Sequence, residues 1–515
     1  MAVTVTAPTS PSLAEEYRRR GWWRDTPLRD GLERLAETEG DRTALIDNDG
    51  TWTYAQLRER VEAALGSFTG AGVEPGDAVV IVAPNSREAV ASVLATIRAG
   101  GVAVVIDRRC GANDLAHAVA SSGSRHIVVP PHLRPSLRVD DHGATVLALD
   151  EVTLSRRTST WNEPDPAQAR VVIFTSGTTR RPKGVVHSLY TIGVGTDNLA
   201  ASWSFTEADR PFLSSPLGTV TGISQVLLAL RGASIVLEDR FDPARSLASI
   251  EEHGATVIGG APVILEQLYA EYERQDRTSS SLRRIALGGT HIPRPVLEVA
   301  IDRFGIRPTR VYGSSEVPVH SCSTEEDTLE QRLSDDGRLL PGSEAMLGEL
   351  FPEGPELYVR GPNLFQGYLY EEDNEGVFAD GWFRTGDLVE QRDGRLRVLG
   401  RLKDVAARKG LKVSLAEVDD AATAIRGLVE AAAYAVADDE TGERVALALR
   451  LADARPSYDD VVAALLDYGL ARGKLPEEIV FWDEPLPRTA SGKIVRAQVL
   501  EGAGDRARVK APRLR

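Results

Sequence analysis

Cysteine is scarce in this chain, which carries only Cys110 and Cys322 among 515 residues. These two residues have neither metal-ligand spacing nor the density of a disulfide framework, so a disulfide-stapled or cysteine-zinc domain is excluded. Their scarcity favours a reducing compartment, and we expect a cytoplasmic protein. Long apolar runs are missing as well, so the sequence predicts neither a membrane-spanning helix nor a signal peptide.

Positive charge is also in short supply, with 60 Lys and Arg against 75 Asp and Glu and a net charge of −15. This balance argues against nucleic acid or an anionic membrane surface as the main partner. The chain is too long for one compact core, so two or more domains are expected. A hydrophobic content of 42% and a mean hydropathy of −0.19 are typical of a soluble globular protein.

Strand and helix patterns alternate in the first part of the chain, which predicts a parallel sheet with helices on both faces. Predicted strands lie at 78–83, 101–106 and 126–129, with predicted helices at 86–99 and 113–120. A similar rhythm recurs between residues 234 and 311. Alternating apolar and polar residues at 356–360 and 395–399 predict a more β-rich section, and a small α+β unit follows.

A loop of small and hydroxyl-bearing residues lies at 175–184 and reads Thr-Ser-Gly-Thr-Thr-Arg-Arg-Pro-Lys-Gly. It follows the apolar run 171–174, which is typical of a buried strand. Backbone N–H groups and hydroxyls in such a loop can surround a polyanion, and Lys183 adds a point positive charge. The loop predicts a nucleotide triphosphate site, although it lacks the Gly-Lys-Ser/Thr ending of common ATPases. A flexible surface turn is the alternative for such a loop taken alone.

Four further motifs follow along the chain: Tyr312-Gly-Ser-Ser-Glu316, Trp382-Phe-Arg-Thr-Gly-Asp387, Gly400-Arg-Leu-Lys-Asp404 and Pro487-Arg-Thr-Ala-Ser-Gly-Lys493. In this order, the set resembles the adenylate-forming superfamily, which includes acyl-CoA synthetases, peptide-synthetase adenylation domains and firefly luciferase. The resemblance runs from about Trp52 to Arg496. The segment 312–342 looks most like synthetases for small or alicyclic acids.

The resemblance implies an enzyme that needs ATP and Mg²⁺ and joins a small carboxylic acid to AMP with release of pyrophosphate. Positive charge and aligned donors are needed because an anionic carboxylate must meet an anionic phosphate. The acyl group would then pass to the thiol of coenzyme A. Two alternatives stay open: an adenylation enzyme that loads the phosphopantetheine of an acyl or peptidyl carrier protein, and a nucleotide-binding protein that has lost catalysis.

The resemblance also assigns roles to individual residues. Lys493, Lys183 and Glu316 would be catalytic, with Lys493 on the carboxylate and α-phosphate and Glu316 on Mg²⁺, where Thr178 lies near the same ion. Tyr312 would stack on adenine, Asp387 would accept hydrogen bonds from the ribose, and Arg401 would be a second residue near the ribose. The expected nucleotide-binding residues are Thr175, Ser176, Gly177, Thr178, Thr179, Gly288, Gly289, Thr290, Tyr312, Gly313, Ser315, Asp387 and Arg401.

The acyl pocket and the thiol tunnel depart from the commonest family pattern. Lys409 stands where a glycine is usual, and Thr219 stands where many acyl-CoA synthetases carry a histidine or an aromatic residue. The small residues among the pocket candidates favour a bulky or cyclic acid. The pocket candidates are Thr219, Gly222, Ile223, Gly260, Gly288, Ser314 and Val317, and the thiol-tunnel candidates are Arg408, Lys409 and Gly410.

Together these patterns predict an α/β fold in two domains. Residues 1–400 would form a large N-terminal domain with doubly wound sheets and a β-rich subdomain. Residues 405–515 would form a small, mobile α+β domain that carries the catalytic lysine. The resemblance places a hinge at 401–404, centred on Asp404, about which this domain rotates between two half-reactions.

Overall fold

The chain divides into two compact units. A computed structural model describes residues 3, 5, 8–24, 28–155, 165–175, 181–260, 262–277, 280–288, 292, 294–348, 356–408, 411–438, 441–452, 454–489, 493–504 and 506–512. The first unit is built from residues before 384, apart from 290–295 and 346–358. The second unit contains those two stretches and the chain from Arg384 onward.

The helices of the chain before residue 384 are short to medium in length. They are α1 (Pro11–Arg19), α2 (Leu28–Thr38), α3 (Tyr54–Gly70), α4 (Arg87–Arg98), α5 (Ala112–Ser122), α6 (Leu149–Val152), α7 (Leu189–Ser202), α8 (Val220–Leu227), α9 (Pro243–Glu252), α10 (Pro262–Arg274), α11 (Arg294–Phe304) and α12 (Leu329–Ser334). Short 3₁₀ helices lie at Pro131–Leu133, Val139–His142, Leu228–Arg231 and Glu371–Asp373.

The strands of this part of the chain alternate with the helices until residue 312. They are β1 (Thr43–Asp47), β2 (Gly50–Thr53), β3 (Ala78–Ala83), β4 (Val102–Asp107), β5 (His126–Val129), β6 (Thr145–Ala148), β7 (Ala169–Phe174), β8 (Gly184–Ser188), β9 (Pro211–Leu213), β10 (Ile235–Leu237), β11 (Val257–Gly260), β12 (Arg284–Gly288), β13 (Arg307–Tyr312), β14 (Ser321–Cys322), β15 (Arg338–Leu339), β16 (Glu344–Gly348), β17 (Glu356–Arg360), β18 (Gly367–Tyr368), β19 (Phe378–Ala379) and β20 (Trp382–Arg384).

One sheet of the first unit carries the loop at 175–184. Its strand order in the described residues is β18-β8-β7-β4-β3-β5-β6. The strands β7, β4, β3, β5 and β6 are parallel. At one side β8 pairs antiparallel with β7, and β18 pairs antiparallel with β8. Every residue of β3 is buried, as expected for a central parallel strand that reads Ala-Val-Val-Ile-Val-Ala.

A second sheet of the first unit places the predicted residues Gly260, Gly288 and Tyr312 at one edge. Its strands β10, β9, β11, β12 and β13 run parallel, with β1 parallel to β10 at one side. Gly260, Gly288 and Tyr312 are the last residues of β11, β12 and β13. The carboxyl ends of adjacent parallel strands are the usual place for a ligand in an α/β sheet.

The second unit contains a hairpin and a separate small sheet. The hairpin joins β21 (Asp387–Arg392) to β22 (Arg395–Arg401), and the sheet has β25 (Leu428–Asp438) and β26 (Gly442–Leu451) as its longest pair. Its other strands are β23 (Val405–Arg408), β24 (Leu411–Ser414), β27 (Glu478–Trp482) and β28 (Arg508–Lys510). Helices are α13 (Leu415–Ala422), α14 (Tyr458–Tyr468) and α15 (Arg496–Gly502), with 3₁₀ helices at Leu402–Asp404 and Arg472–Lys474.

The predicted α/β class, with a large N-terminal and a small C-terminal domain, is confirmed. The predicted strand at 126–129 has the observed bounds, whereas the strand predicted at 101–106 runs from Val102 to Asp107. Ser86, predicted as the first residue of a helix, instead caps it, because its hydroxyl accepts a hydrogen bond from the N–H of Ala89. Within the described ranges, no helix is long and apolar enough to cross a membrane.

Candidate active site

The loop at 175–184 is the connection of a β-hairpin. Phe174 at the end of β7 pairs with Gly184 at the start of β8. The N–H of Thr175 then donates to the carbonyl oxygen of Lys183 at 3.0 Å. Thr175 and Lys183 therefore form the neck of the loop, whereas Ser176, Gly177, Thr178 and Thr179 lie outside the described residues.

Lys183 is held above an aromatic ring and beside a carboxylate. Its Nζ lies 4.7 Å from the centroid of the Tyr368 ring and 3.6 Å from Oδ1 of Asp373. Arg181 is placed in the same way, over the Tyr370 ring and paired with Glu372. The neck of the loop is thus anchored on the segment 368–373 by two cations on two tyrosines.

Glu316 meets the same tyrosine from another direction. The Tyr368 hydroxyl donates to Oε1 of Glu316 at 2.7 Å, and no described residue donates to Oε2. The Glu316 backbone is fixed as well, because its N–H donates to Oγ of Ser314 and its carbonyl accepts from Phe365. Tyr368 therefore contacts both Lys183, predicted to face the triphosphate, and Glu316, predicted to hold Mg²⁺.

His187 ties β8 to the motif that carries Glu316. Its Nε2 lies 2.8 Å from the carbonyl oxygen of Ser315, and its Nδ1 lies 3.0 Å from the hydroxyl of Thr191. Complete burial lowers the pKa of His187 to about 4, despite the opposing effects of the Ser315 carbonyl and the Glu316 charge. The ring is neutral at pH 7, with a proton on Nε2 for the carbonyl and a lone pair on Nδ1 for the hydroxyl.

The predicted adenine region lies at the ends of β12 and β13. Gly288 pairs with Val311, and a Cβ at Gly288 would lie 2.5 Å from the Val311 carbonyl oxygen. Tyr312 is only 6% exposed, and its carbonyl accepts from the N–H of His320. A Cβ at Gly313 would lie 2.6 Å from the backbone nitrogen of Val319, so a tight turn requires this glycine. Gly289 and Thr290 lie outside the described residues.

Several pocket candidates have a structural explanation for their size or polarity. Thr219 caps α8: its hydroxyl accepts from the N–H of Gly222 and donates to the carbonyl of Pro216. A Cβ at Gly222 would lie 2.2 Å from that same carbonyl, so close packing alone demands a glycine there. Ile223 and Val317 are fully buried, and Ser314 accepts from the N–H groups of Glu316 and Val317.

Gly260 differs from Gly222 and Gly288 because, among the described residues, no atom would lie closer than ordinary van der Waals distance to a Cβ there. It is the last residue of β11, and the nearest atom to a Cβ placed there is Oγ of Ser215, at 3.8 Å. The small size of Gly222 and Gly288 therefore does not indicate room for a bulky acid, because backbone atoms fill that space. The acyl-pocket assignment stays a prediction.

In the second unit, Asp387 and Arg401 face each other across the hairpin β21–β22. They are paired in the strand register, and Nε of Arg401 lies 3.0 Å from Oδ1 of Asp387. Asp387 is 4% exposed, whereas 41% of the Arg401 side chain is exposed. The N–H of Asp387 donates to the hydroxyl of Thr385, which fixes the turn before the strand. The two residues that were predicted to lie near the ribose are thus neighbours on one short hairpin.

The predicted hinge residue, Asp404, lies in the 3₁₀ helix after β22. Its Oδ1 is 3.8 Å from Nε of Arg496, which also binds Asp419 at 2.7 Å and the carbonyl of Ala433 at 2.6 Å. Burial opposes the charge of Arg496, but the two carboxylates raise its pKa. Arg496, at the start of α15, was missed by the sequence interpretation of this segment.

Arg408, the first thiol-tunnel candidate, ends β23. Its guanidinium pairs with Glu477 at 3.0 Å and donates to the carbonyls of Gly473 and Leu475. These contacts hold Arg408 against the segment before β27. Lys409 and Gly410 lie outside the described residues.

Lys493 ends a turn that begins at Thr489, and both residues belong to the predicted motif at 487–493. The N–H of Thr489 donates to the carbonyl of Lys493 at 2.7 Å, and the N–H of Lys493 approaches the Thr489 hydroxyl at 3.2 Å. Arg488 and Ile494 form a β-bridge just outside this pair. The Lys493 backbone is therefore set by local hydrogen bonds.

The sequence interpretation missed three further residues of the first unit: Tyr368, His187 and Asp373. Gly367, with a φ of +132°, precedes Tyr368 and marks a special backbone position that the sequence could have signalled. The approach of Tyr368 to Glu316, 52 positions away, has no local signal. These contacts depend on which strands are neighbours.

The profile described as "AMP-binding enzyme" matches residues 32–369, and the one described as "AMP-binding enzyme C-terminal domain" matches residues 417–493. The first match alone covers more than half of the chain. The chain belongs to the AMP-binding enzyme family. The predicted resemblance to adenylate-forming enzymes is confirmed.

Named relatives span nearly the whole chain. The medium-chain fatty-acid–CoA ligase of Escherichia coli is 30% identical over 534 residues, which cover 96% of this chain and 93% of that protein. Among solved structures, o-succinylbenzoate CoA synthetase from Bacillus subtilis, in complex with its acyl-adenylate intermediate, is 26% identical with a TM-score of 0.82. That match covers 92% of this chain and 98% of the other. The same enzyme in complex with ATP and magnesium ion matches with a TM-score of 0.80 and 26% identity, over 92% and 99% of the two chains.

Proposed function

We propose that this protein is an ATP- and Mg²⁺-dependent carboxylic acid ligase. It joins a carboxylic acid to AMP, releases pyrophosphate, and then transfers the acyl group to the thiol of coenzyme A. The observation that carries the proposal is the meeting of Lys183 and Glu316 on Tyr368, in a chain matched by both AMP-binding enzyme profiles. The named relatives are CoA ligases, and one of them was solved with an acyl-adenylate intermediate.

The described residues fit Mg²⁺ at Glu316. One carboxylate oxygen is engaged by the Tyr368 hydroxyl, and the other has no donor among the described residues. A free carboxylate oxygen is the kind of ligand that Mg²⁺ takes in nucleotide sites. When bound, the ion would neutralise charge on the phosphate oxygens. Thr178 is proposed near the same ion.

Lys183 and the loop that it closes are proposed to hold the β- and γ-phosphates. In the structure, Lys183 pairs with Asp373, so it would exchange one anion for another when the nucleotide binds. Lys183 would attract the phosphates as a compact positive charge, because an ammonium lacks the planar, two-pronged hydrogen-bonding geometry of arginine. The remaining donors are proposed to come from Thr175 and the hydroxyls that follow it.

The rest of the nucleotide is assigned to two groups of residues. Tyr312, Gly313, Ser315 and Gly288 are proposed to border the adenine at the carboxyl ends of β12 and β13. Asp387 is proposed to accept from the ribose hydroxyls, with Arg401 as its charged neighbour. Buried carboxylates of this kind bind hydroxyls strongly because the hydrogen bonds are charge-assisted.

Lys493 is proposed to neutralise the substrate carboxylate and the α-phosphate as they approach each other. Fixed positive charge at the place where negative charge develops lowers the barrier to such a reaction. Lys493 would act in adenylation and not in thioester formation. The rotation about Asp404 that this division of labour requires is part of the proposal.

The proposed experiment uses the full chain with ATP, Mg²⁺ and a panel of aliphatic, aromatic and cyclic acids, each with and without coenzyme A. Mass spectrometry separates AMP, acyl-AMP and acyl-CoA. Acid-dependent AMP together with acyl-CoA is the expected result, and it also names the acid. Acyl-AMP that accumulates with coenzyme A present would point to a carrier protein as acceptor, and binding of ATP without turnover of any acid would point to a protein that has lost catalysis.

A cytoplasmic location belongs to this proposal too. Cys110 and Cys322 do not pair with each other, and burial raises the pKa of the Cys110 thiol to about 12. Cysteines that form no disulfide are typical of a reducing compartment.

A further inference from the structure

Tyr368 occupies an unusual place between two functional groups of opposite charge. Its hydroxyl faces the carboxylate of Glu316, and its ring faces the ammonium of Lys183. We propose that Tyr368 is a positioning residue for the magnesium site: it turns the Glu316 carboxylate so that one oxygen is presented to the ion. This inference rests on the proposed function, because it takes Glu316 as a ligand of Mg²⁺.

The hydrogen bond between Tyr368 and Glu316 is of the strong kind. The oxygen–oxygen distance is 2.7 Å, and a neutral phenol donates to an ionised carboxylate. Such a bond removes the rotation of the carboxylate about its last torsion, which is otherwise broad. The second oxygen is then held in a fixed direction, with both of its lone pairs available to another partner.

Tyr368 itself is fixed from several sides. Its backbone pairs with Val185 of β8, and the side chain of Asn374 accepts from its N–H and donates to its carbonyl. Its ring packs against Phe365 in an edge-to-face arrangement, at 4.9 Å between centroids. Tyr368 is 5% exposed and is held by these contacts, so its hydroxyl has a fixed position. The Glu316 carboxylate therefore takes the orientation that the Tyr368 hydroxyl sets.

The orientation of the carboxylate matters because Mg²⁺ demands near-ideal octahedral geometry at about 2.1 Å. A ligand that is free to rotate must be ordered when the ion binds, and that ordering costs affinity. Groups that orient a metal ligand without touching the metal typically change metal affinity or activity by about 10- to 100-fold when they are removed. The structure assigns the role of orienting the Glu316 carboxylate to the Tyr368 hydroxyl.

Tyr368→Phe isolates the hydroxyl, because the ring stays under Lys183. The experiment titrates Mn²⁺ into the full chain with a non-hydrolysable ATP analogue, and it follows bound Mn²⁺ by electron paramagnetic resonance. We expect Mn²⁺ affinity to fall about 10- to 100-fold. The affinity for the analogue without divalent cation should stay unchanged. An unaltered Mn²⁺ affinity would overturn the inference.

The matched control is Tyr269→Phe in α10, which also deletes one buried hydroxyl. The Tyr269 oxygen has no hydrogen-bond partner among the described residues, so its loss removes no hydrogen bond. This control should bind Mn²⁺ like the unaltered chain. A similar loss in both variants would show a general effect of phenol deletion and would contradict the inference.

A second variant separates positioning from simple structural support. In a Glu316→Gln background, Tyr368→Phe should cause no further loss of Mn²⁺ affinity, because the ligand that it orients is gone. Additive losses would contradict the inference.

A chain that binds Mn²⁺ through Glu316 and Tyr368 but activates no acid would contradict the proposed ligase instead. A chain that binds no Mn²⁺ with the analogue would overturn both.

Discussion

Two groups of residues are held in different ways: Glu316 and its neighbour His187 in the first unit, and Asp387 and Lys493 in the second. In the first unit, His187 binds the carbonyl of Ser315 across 128 positions of sequence, and Glu316 binds Tyr368 across 52. In the second unit, Asp387 faces Arg401 within one hairpin, and Lys493 is set by Thr489, four positions away. Side chains that are fixed by distant partners depend on the packing of the whole sheet, whereas those on a hairpin depend on a single turn.

This difference separates chemistry from stability. A change at a locally held residue should affect the reaction with little effect on folding. A change at a residue that joins distant strands should affect folding as well. Three of the variants that follow test that separation, and the fourth, at the helix cap Thr219, measures a local loss of stability.

Lys493→Ala should have the largest effect. Loss of a charge that neutralises the meeting anions should slow acyl-AMP formation by about 100- to 1000-fold. Thioester formation from supplied acyl-AMP should continue, and the melting temperature should barely change because the turn is held by backbone groups. Single-turnover assays of each half-reaction measure this, and a loss of both steps would contradict the two-step division.

His187→Gln should mainly affect stability, and its effect should depend on pH. The pKa of His187 is lowered from 6.5 to about 4 by burial, so the folded chain binds this proton less readily than the unfolded chain. The stabilisation is fully present above pH 6.5 and is lost as the pH falls toward 4, up to about 3 kcal/mol. The variant has no such group to titrate.

The measurement for His187→Gln is calorimetric melting of both chains from pH 7.5 to 4.5. At pH 7.5 the variant should melt lower, because its hydrogen bonds to Ser315 and Thr191 are lost or weakened, at about 1 kcal/mol each. The difference between the two chains should shrink as the pH falls. A difference that stays constant with pH would contradict the neutral, buried state of this histidine.

Asp387→Asn should raise the KM for ATP with a smaller effect on kcat. The change keeps the shape of the side chain but removes the charge that faces Arg401 and, by the proposal, the ribose. Hydrogen bonds to charged groups are worth about 1.5–3 kcal/mol, which corresponds to about 10- to 100-fold in KM. Steady-state kinetics with varied ATP test this, with 2′,3′-dideoxy-ATP as the control, for which the variant should lose little.

Thr219→Ala should have the smallest effect, a loss of about 1 kcal/mol of stability from the missing helix cap. Thr219→Ser keeps the cap and is the matched control. If Thr219 also borders the acyl pocket, both variants should change the preference among acids in the substrate panel. If neither variant changes the preference among acids, Thr219 acts only as a helix cap and does not border the acyl pocket.

Local features of the fold and the site were readable from the sequence. The central strands were predictable because runs such as 78–83 are apolar on both faces, and the loop at 175–184 was predictable because its composition suits a polyanion. The Asp387–Arg401 contact was not predicted as such, although both residues were assigned to the ribose. Their cross-strand pairing follows from a hairpin register that two separated motifs do not reveal.

Contacts between distant segments were beyond the sequence. Nothing near Tyr368 indicates Glu316, because their contact depends on β18 adding to β8. The case of Gly222 is the reverse: its small size suggested space for a substrate, but the carbonyl of Pro216 occupies that space. Glycine signals close approach and does not say whether a ligand or the protein's own backbone approaches.

The pairing of β8 with both β7 and β18 has a consequence for engineering. Val185 is opposite Ile173 on one side and Tyr368 on the other, so a single strand sets two registers. A one-residue insertion within β8 would turn every following side chain of the strand to the opposite face of the sheet. Length variation between Thr175 and Lys183 leaves both registers intact, so grafted or lengthened loops from other sequences should be exchanged at those two residues.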